Sequence, residues 1–375
     1  MNISKLASGL VLALGMNSIA MGEAGVIFQD NFDNQPDFTS TMHSTESAQD
    51  ASLGFTLPDG WTHLYQGTRW SPETGYPNNH ASLEILASNA DKARGGSGKS
   101  AVFWRESYTP DSGWAMWNSD SQLMKILDRG YDQLYVEFYI RFSKEWWNRT
   151  NASSYTSKMF RVGHWNGQGT PYSGYRGDLG PIAFWDYKRD NYGLRHVIAF
   201  RGGPPQTDNY YFKDQYRRGE SRNYTSSIEG QEEGGTDPKL QDQVYGGNIV
   251  DYGGIVEHDQ VFGDENRWTK VGFYVKMNSS PGATDGIYRI WVDGHRVLNR
   301  TDIPWTMDNP ENIMVKWNYF AISGNDYFQA YPNDQRFEDW YAIDDLVAMD
   351  DYPGSTGGVD DGVMPPNPPQ NITVE

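Results

Sequence analysis

Between Trp268 and Asn299 the chain alternates. Val271, Phe273 and Val275 stand against Lys270, Tyr274 and Lys276, and after a Pro/Gly/Asp loop Tyr288, Ile290 and Val292 stand against Arg289 and Trp291. A period of two puts successive side chains on opposite faces of a strand. The spacing predicts two strands, ended by a tight Asp293-Gly294 turn. Leu134 to Phe142 repeats the pattern, with Leu134, Val136, Phe138, Ile140 and Phe142 on one face and Tyr135, Glu137, Tyr139 and Arg141 on the other.

Further strands are predicted over Val26–Asp33, Ser82–Ala87, Ser100–Glu106, Lys158–His164, Pro181–Asp186, Arg195–Arg201, Val315–Ser323 and Trp340–Met349. Asp120–Asp128 reads as the one helical turn of any length. Residues 202–265 are rich in Gly, Asp, Glu and Tyr without sustained periodicity, and loops of that length are usually functional or mobile. Many strands with abundant turns predict an all-β fold, a two-sheet antiparallel β-sandwich.

The 375 residues leave room for one large all-β domain or two smaller ones. Aromatics make up 14% of the chain, with 24 Tyr and 14 Trp, so the core must use rings more than Leu and Ile. A formal net charge of -18 argues against nucleic acid as a partner. There is no cysteine, so no disulfide framework exists.

Lys5 followed by the apolar run Leu6–Met16 and small-x-small sites near Ala20 and Ala24 reads as a signal peptide over 1–24. The run is too short to span a bilayer comfortably, and no later segment is apolar enough to do so. The expected organisation is a signal peptide, a sandwich domain over 25–350 and a Pro/Gly-rich tail over 351–375. The expected location is secreted or periplasmic, and the expected state is a monomer.

Three segments carry a family likeness: F-x-D-x-F-D from Phe28, the W-x-x-V-x-F-x-V-K-x-N…I-W-V-D-G stretch from Trp268, and W-Y-A-I-D-D-L-V from Trp340. Together they resemble the concanavalin A-like jelly roll, and within it secreted polysaccharide lyases of the alginate and glucuronan type. The resemblance spans 26–350. The alternating-acid strand of this fold's glycanases is absent, which disfavours a retaining glycosidase with two closely spaced carboxylates. Arg105-Glu106-Ser107 and Tyr319-Phe320-Ala321-Ile322-Ser323-Gly324 match the lyase motifs in part.

The resemblance implies β-elimination on a uronate. That reaction needs a group to neutralise the carboxylate, a base for the C5 proton and an acid for the leaving oxygen. His164, Tyr319, Lys158 and Arg161 are the catalytic candidates. In a regular strand Lys158, Val162 and His164 share a face and Arg161 takes the other; a bulge would change that. His164 reads equally as a loop residue bound to backbone, and Tyr319 equally as a core or platform ring.

Arg105, Arg195, Arg201, Tyr210 and Asn318 are the substrate-binding candidates. Arg195 and Arg201 share a strand face that suits carboxylates or a solvated surface. The face carrying Tyr139, Arg141, Tyr274, Lys276, Arg289 and Trp291 suits a sugar platform or plain solvent exposure. A structural calcium ion is expected on Asp30, Asp33 and Asp345, joining the first strand to the last. The expected ligand is a polysaccharide. The rival reading is a non-catalytic carbohydrate-binding module of the same fold.

Overall fold

The computed structural model describes residues 25–40, 47–50, 54–66, 80–105, 108–109, 116–117, 120–144, 155–167, 180–190, 193–201, 224–227, 248–249, 254–255, 266–306, 308–327 and 339–353. The expected signal segment, Tyr210 and most of 202–265 lie outside them.

Two antiparallel sheets form the sandwich. The nine-stranded sheet runs in the order His295–Ile303, Gly286–Val292, Thr269–Lys276, Gln133–Phe142, Trp340–Met349, Ala101–Trp104, Leu83–Ile85 and Phe38–Thr39, with Val26–Asp30 also paired to Trp340–Met349. The eight-stranded sheet runs Tyr224–Ser227, Gly193–Arg201, Ile182–Asp190, Tyr155–Gly163, Trp317–Tyr327, Asp120–Tyr131, His63–Gln66 and Ser47–Asp50. The first and last long strands are therefore neighbours, with Asp30 opposite Leu346. This is the jelly-roll sandwich that the alternation predicts.

The core lies between the sheets. Leu134, Val136, Phe138, Ile140 and Phe142 all face it, as do Val271, Phe273, Val275, Tyr288, Ile290 and Val292. Phe160, Val162, Trp185, Phe320 and Ile322 meet them from the eight-stranded sheet. The Phe160 and Phe273 rings stack across the gap at 4.4 Å. Rings of this size bury more area per residue than aliphatics and add a pairwise attraction.

Asp120–Asp128 is not helical: it belongs to the strand Asp120–Tyr131. The misleading signal has a physical cause. Leu123 and Leu127 face the inter-sheet core, whereas Met124 and Ile126 pack on the sheet's outer side. A strand buried on both faces loses its period of two, and the remaining apolar spacing resembles a helix.

Candidate functional site

The site begins with an irregularity shared by two paired strands. Register between Tyr155–Gly163 and both of its neighbours shifts around Lys158–Phe160. Met159 and Phe160 are both buried in the inter-sheet core. A bulge of this kind spends one extra residue and re-aims those beside it. Opposite, Ser323 holds the left-handed φ of 68°. The consequence is visible at Gly324. A Cβ there would lie 2.6 Å from Lys158 Cβ and 2.8 Å from Arg161 Nη2. Lys158 and Arg161 therefore meet on the outer face, where a regular strand would have separated them.

His164 moves the other way. It keeps the parity of Val162, at the end of the strand, and its backbone N–H donates to Pro181 O at 3.0 Å. Its Nδ1 lies 2.8 Å from Lys316 O. A carbonyl only accepts, so Nδ1 carries the hydrogen and Nε2 keeps its lone pair in the neutral ring. Burial lowers the His164 pKa from 6.5, opposed by this bond. The structure thus brings Lys158 and Arg161 together and leaves His164 on the other side of the strand.

Tyr319 pairs with Gly163 on one side and Ile126 on the other. Its ring lies over Gly163, where a Cβ would stand 2.5 Å from Tyr319 Oη. Only glycine leaves room for the phenol there. The ring is 1% exposed, and its hydroxyl has no hydrogen-bond partner among the described residues. Leaving such a group unpaired costs about 1–3 kcal/mol. Burial raises the Tyr319 pKa well above the usual phenol range, and the nearby Arg161 cation opposes that rise. Arg161 is itself buried, 3% exposed.

Met124, Ile182, Phe184 and Ala321 surround Tyr319, with Tyr65, Ile126 and Trp165 packed against them. Asn318 shapes this cover rather than the floor. Its Oδ1 accepts from Trp165 N–H at 2.8 Å, and its Nδ2 donates to Trp165 O at 2.7 Å. The clamp holds the Trp165 ring edge-on to His63, 5.9 Å between centroids. His63, Tyr65, Trp165 and Gln122 were not singled out by sequence reasoning. Their signal is weak: H-L-Y-Q is a short alternating run, and Trp165 follows the strand rather than lying in it.

Arg105 is 0% exposed and spans the two sheets. Its guanidinium donates to Trp104 O at 2.9 Å, to Ser323 Oγ at 2.6 Å and to Tyr341 Oη at 2.6 Å. Ser323 Oγ donates onward to Ser121 O at 2.6 Å. In this arrangement Arg105 ties the sheets together beneath the bulge. Arg201 and Arg195 pair in register with Ile182 and Lys188; their side chains, and Tyr210, lie outside the described residues.

The expected calcium ligands are already engaged. Asp30 accepts from Phe32 N–H and Gln35 Nε2, both at 2.7 Å, and from Trp61 Nε1 at 2.8 Å. Asp33 accepts from Lys99 N–H at 2.9 Å, and Asp345 from Arg94 Nη1 at 2.6 Å. Among the described residues no three acidic or imidazole groups gather as a metal site would need.

The outer face of the nine-stranded sheet differs from the expected open platform. Lys270, Tyr274 and Trp291 are all buried. Lys270 Nζ pairs with Glu137 at 2.8 Å, and Tyr135 Oη donates to Glu137 at 2.8 Å. Tyr352 covers Tyr274 and Trp291, with centroids 5.1 and 5.5 Å away. Among the described residues no helix is long and apolar enough to cross a membrane.

No family model matches the chain, and no curated protein does. Several solved structures are similar to it. Alginate lyase Aly36B is 14% identical, covering 71% of this chain and 82% of its own, at a TM-score of 0.37. The PL-14 alginate lyase from Aplysia kurodai is 11% identical, covering 71% and 86%, at 0.36. The endo-1,3-beta-glucanase from Streptomyces sioyaensis is 12% identical, covering 87% and 96%, at 0.38. Lyases and a hydrolase stand side by side here, so the likeness does not choose between them. The sandwich itself rests on the pairing of the strands.

Proposed function

We propose that this chain is a secreted polysaccharide lyase that cleaves an anionic, uronate-containing polymer by β-elimination. The observation that carries the reading is the unbonded hydroxyl of Tyr319 beside the Arg161 guanidinium. Elimination takes the C5 proton, forms the C4–C5 double bond and breaks the bond from C4 to the leaving oxygen, which then needs a proton. Tyr319, whose hydroxyl proton is held by no other acceptor among the described residues, supplies it. Arg161 faces the uronate carboxylate and the charge that builds on it. The C5 proton needs a base at the place where Lys158 and Arg161 meet beside Gly324. That role falls to Lys158. His164, on the other side of the strand, is not placed in this step.

The test is direct. Incubation with alginate, glucuronan and glycosaminoglycans should raise the far-ultraviolet absorbance of unsaturated uronate ends, and Tyr319→Phe should remove the rise. No rise with any of these polymers ends the lyase reading. One observation favours the rival, a carbohydrate-binding module without catalysis. Tyr319 and Arg161 are buried, so the elimination reading requires Tyr65 and Trp165 to move aside, whereas these two rings are only half-buried and can stack on sugar rings as they stand. Polymer binding without an absorbance rise would favour that rival.

A further inference from the structure

Among the described residues, the buried polar atoms on the outer side of the eight-stranded sheet that make no hydrogen bond include Tyr319 Oη and Gln122 Nε2. The proposed reaction uses the first and not the second. Gln122 is 2% exposed. Its register partners are Tyr65 and Ser323, whereas Tyr319 pairs with Ile126 on the same strand as Gln122. The offset from 122 to 126 is about 13 Å at ~3.3 Å per residue, longer than one sugar ring. Between these rows lies that of Arg161, paired with Ala321. Gln122 therefore continues a line of polar groups along the strands.

Its surroundings are consistent with a binding role. Ser323, its partner, holds the strained φ of 68°, and strain of this kind concentrates at ligand sites. Gly324, next along, carries no side chain where Lys158 and Arg161 meet. A desolvated amide donor with no partner is costly to keep, and a native structure that keeps one calls for an explanation.

We infer that Gln122 is a specificity-determining residue. Its Nε2–H donates to a carboxylate or hydroxyl oxygen of the sugar next to the one that reacts at Tyr319 and Arg161. The site then reads at least two consecutive sugars of the anionic polymer. The inference rests on the proposed function for the identity of the ligand, and no covalent step is added.

Gln122→Met keeps length and removes the donor; Gln122→Glu reverses its character. Both are made in the full chain carrying Tyr319→Phe, so that binding is read without turnover. The probes are saturated trimers of mannuronate, guluronate and glucuronate, titrated by calorimetry. Gln122→Met should melt at the same or a higher temperature than its parent, because an unpaired donor is gone. Its affinity for the preferred trimer should fall about 10-fold or more, and Gln122→Glu should fall further through repulsion. Unchanged trimer affinity in Gln122→Met overturns the inference. So does a lowered melting temperature with loss of binding, which marks a structural amide, and so does the absence of trimer binding in the parent. The absorbance assay separates this from the function reading: a wild type without lyase activity whose trimer binding still depends on Gln122 loses the reaction and keeps the residue.

Discussion

The two outer faces of this sandwich are built from similar residue types and treat their polar groups differently. On the nine-stranded sheet, cations sit against partners. Lys270 pairs with Glu137. Lys92 lies over Trp104 and Trp340 at 5.4 and 5.5 Å, Arg141 over Trp340 at 5.0 Å, and Arg94 over Tyr139 at 3.8 Å. Each cation also covers apolar surface, and a ring face is an adequate counter-charge when desolvated. On the eight-stranded sheet Tyr319 Oη and Gln122 Nε2 are buried and make no hydrogen bond among the described residues, and Gly163 lets the Tyr319 ring lie close against its backbone. The first face gives its cations carboxylate or ring partners from the chain itself. The second keeps a phenol hydroxyl and an amide without such partners among the described residues, and that difference points to the site.

The largest effect that would break the comparison is at Tyr319. Tyr319→Phe should lower the elimination rate by ~10²–10⁴-fold, the usual contribution of a positioned proton-transfer group. Its denaturation midpoint should hold or rise, because the substitution removes an unpaired hydroxyl. A stability loss in this variant would mean the phenol is structural and the two faces are alike.

Next in size is the opposite face. Lys270→Met leaves the Glu137 carboxylate buried without its cation, with Tyr135 Oη still donating to it, and removing one member of such an ion pair costs about 3–5 kcal/mol. Urea unfolding should show that loss, while activity per folded molecule stays unchanged. Adding Glu137→Leu together with Tyr135→Phe, which removes the hydroxyl that donates to Glu137, should recover most of it. A change in turnover of the folded Lys270→Met protein would extend the site to both faces.

Gly163→Ala is smaller. The new methyl would sit 2.5 Å from Tyr319 Oη and push the phenol aside. Overpacking of this kind costs about 1–3 kcal/mol, read as a lower melting temperature. Turnover should fall with it, because the acid moves, and Gly163→Ala combined with Tyr319→Phe should lose no further activity. Additive losses would separate the glycine from the phenol's function.

Much of the fold was legible because one face of each long strand is core. Leu134 to Phe142 and Val271 to Val275 alternate, and every apolar member faces inward. Legibility fails where that condition fails. Met124 and Ile126 are apolar on the outer side, which erased the period of their strand. The bulge at Lys158–Phe160 has no marker of its own, since Met159 and Phe160 simply read as one residue out of phase. Arg105 matched a motif fragment, yet its neighbours Ser323 and Tyr341 come from strands more than 200 residues away and enclose it. Gln122 carried no signal, because what distinguishes it is the absence of a bond, and only packing reveals that.

The smallest effect concerns His164 and sharpens the contrast from the rim of the same sheet. Burial lowers its pKa below 6.5 in the folded chain. The unfolded chain then binds the proton at a higher pH than the folded one, so acid favours unfolding. The contribution is complete above pH 6.5 and declines as pH falls from 6.5 through the folded value. Below that value it is constant. His164→Asn removes this titration and leaves those of the carboxylates. The difference in melting temperature between wild type and variant should therefore shrink in favour of the variant on going from pH 8 to pH 5, while activity at pH 8 is retained. If activity at pH 8 vanishes instead, the ring with its free Nε2 is the base, and the polymer must reach around the end of the strand rather than lie along its outer face.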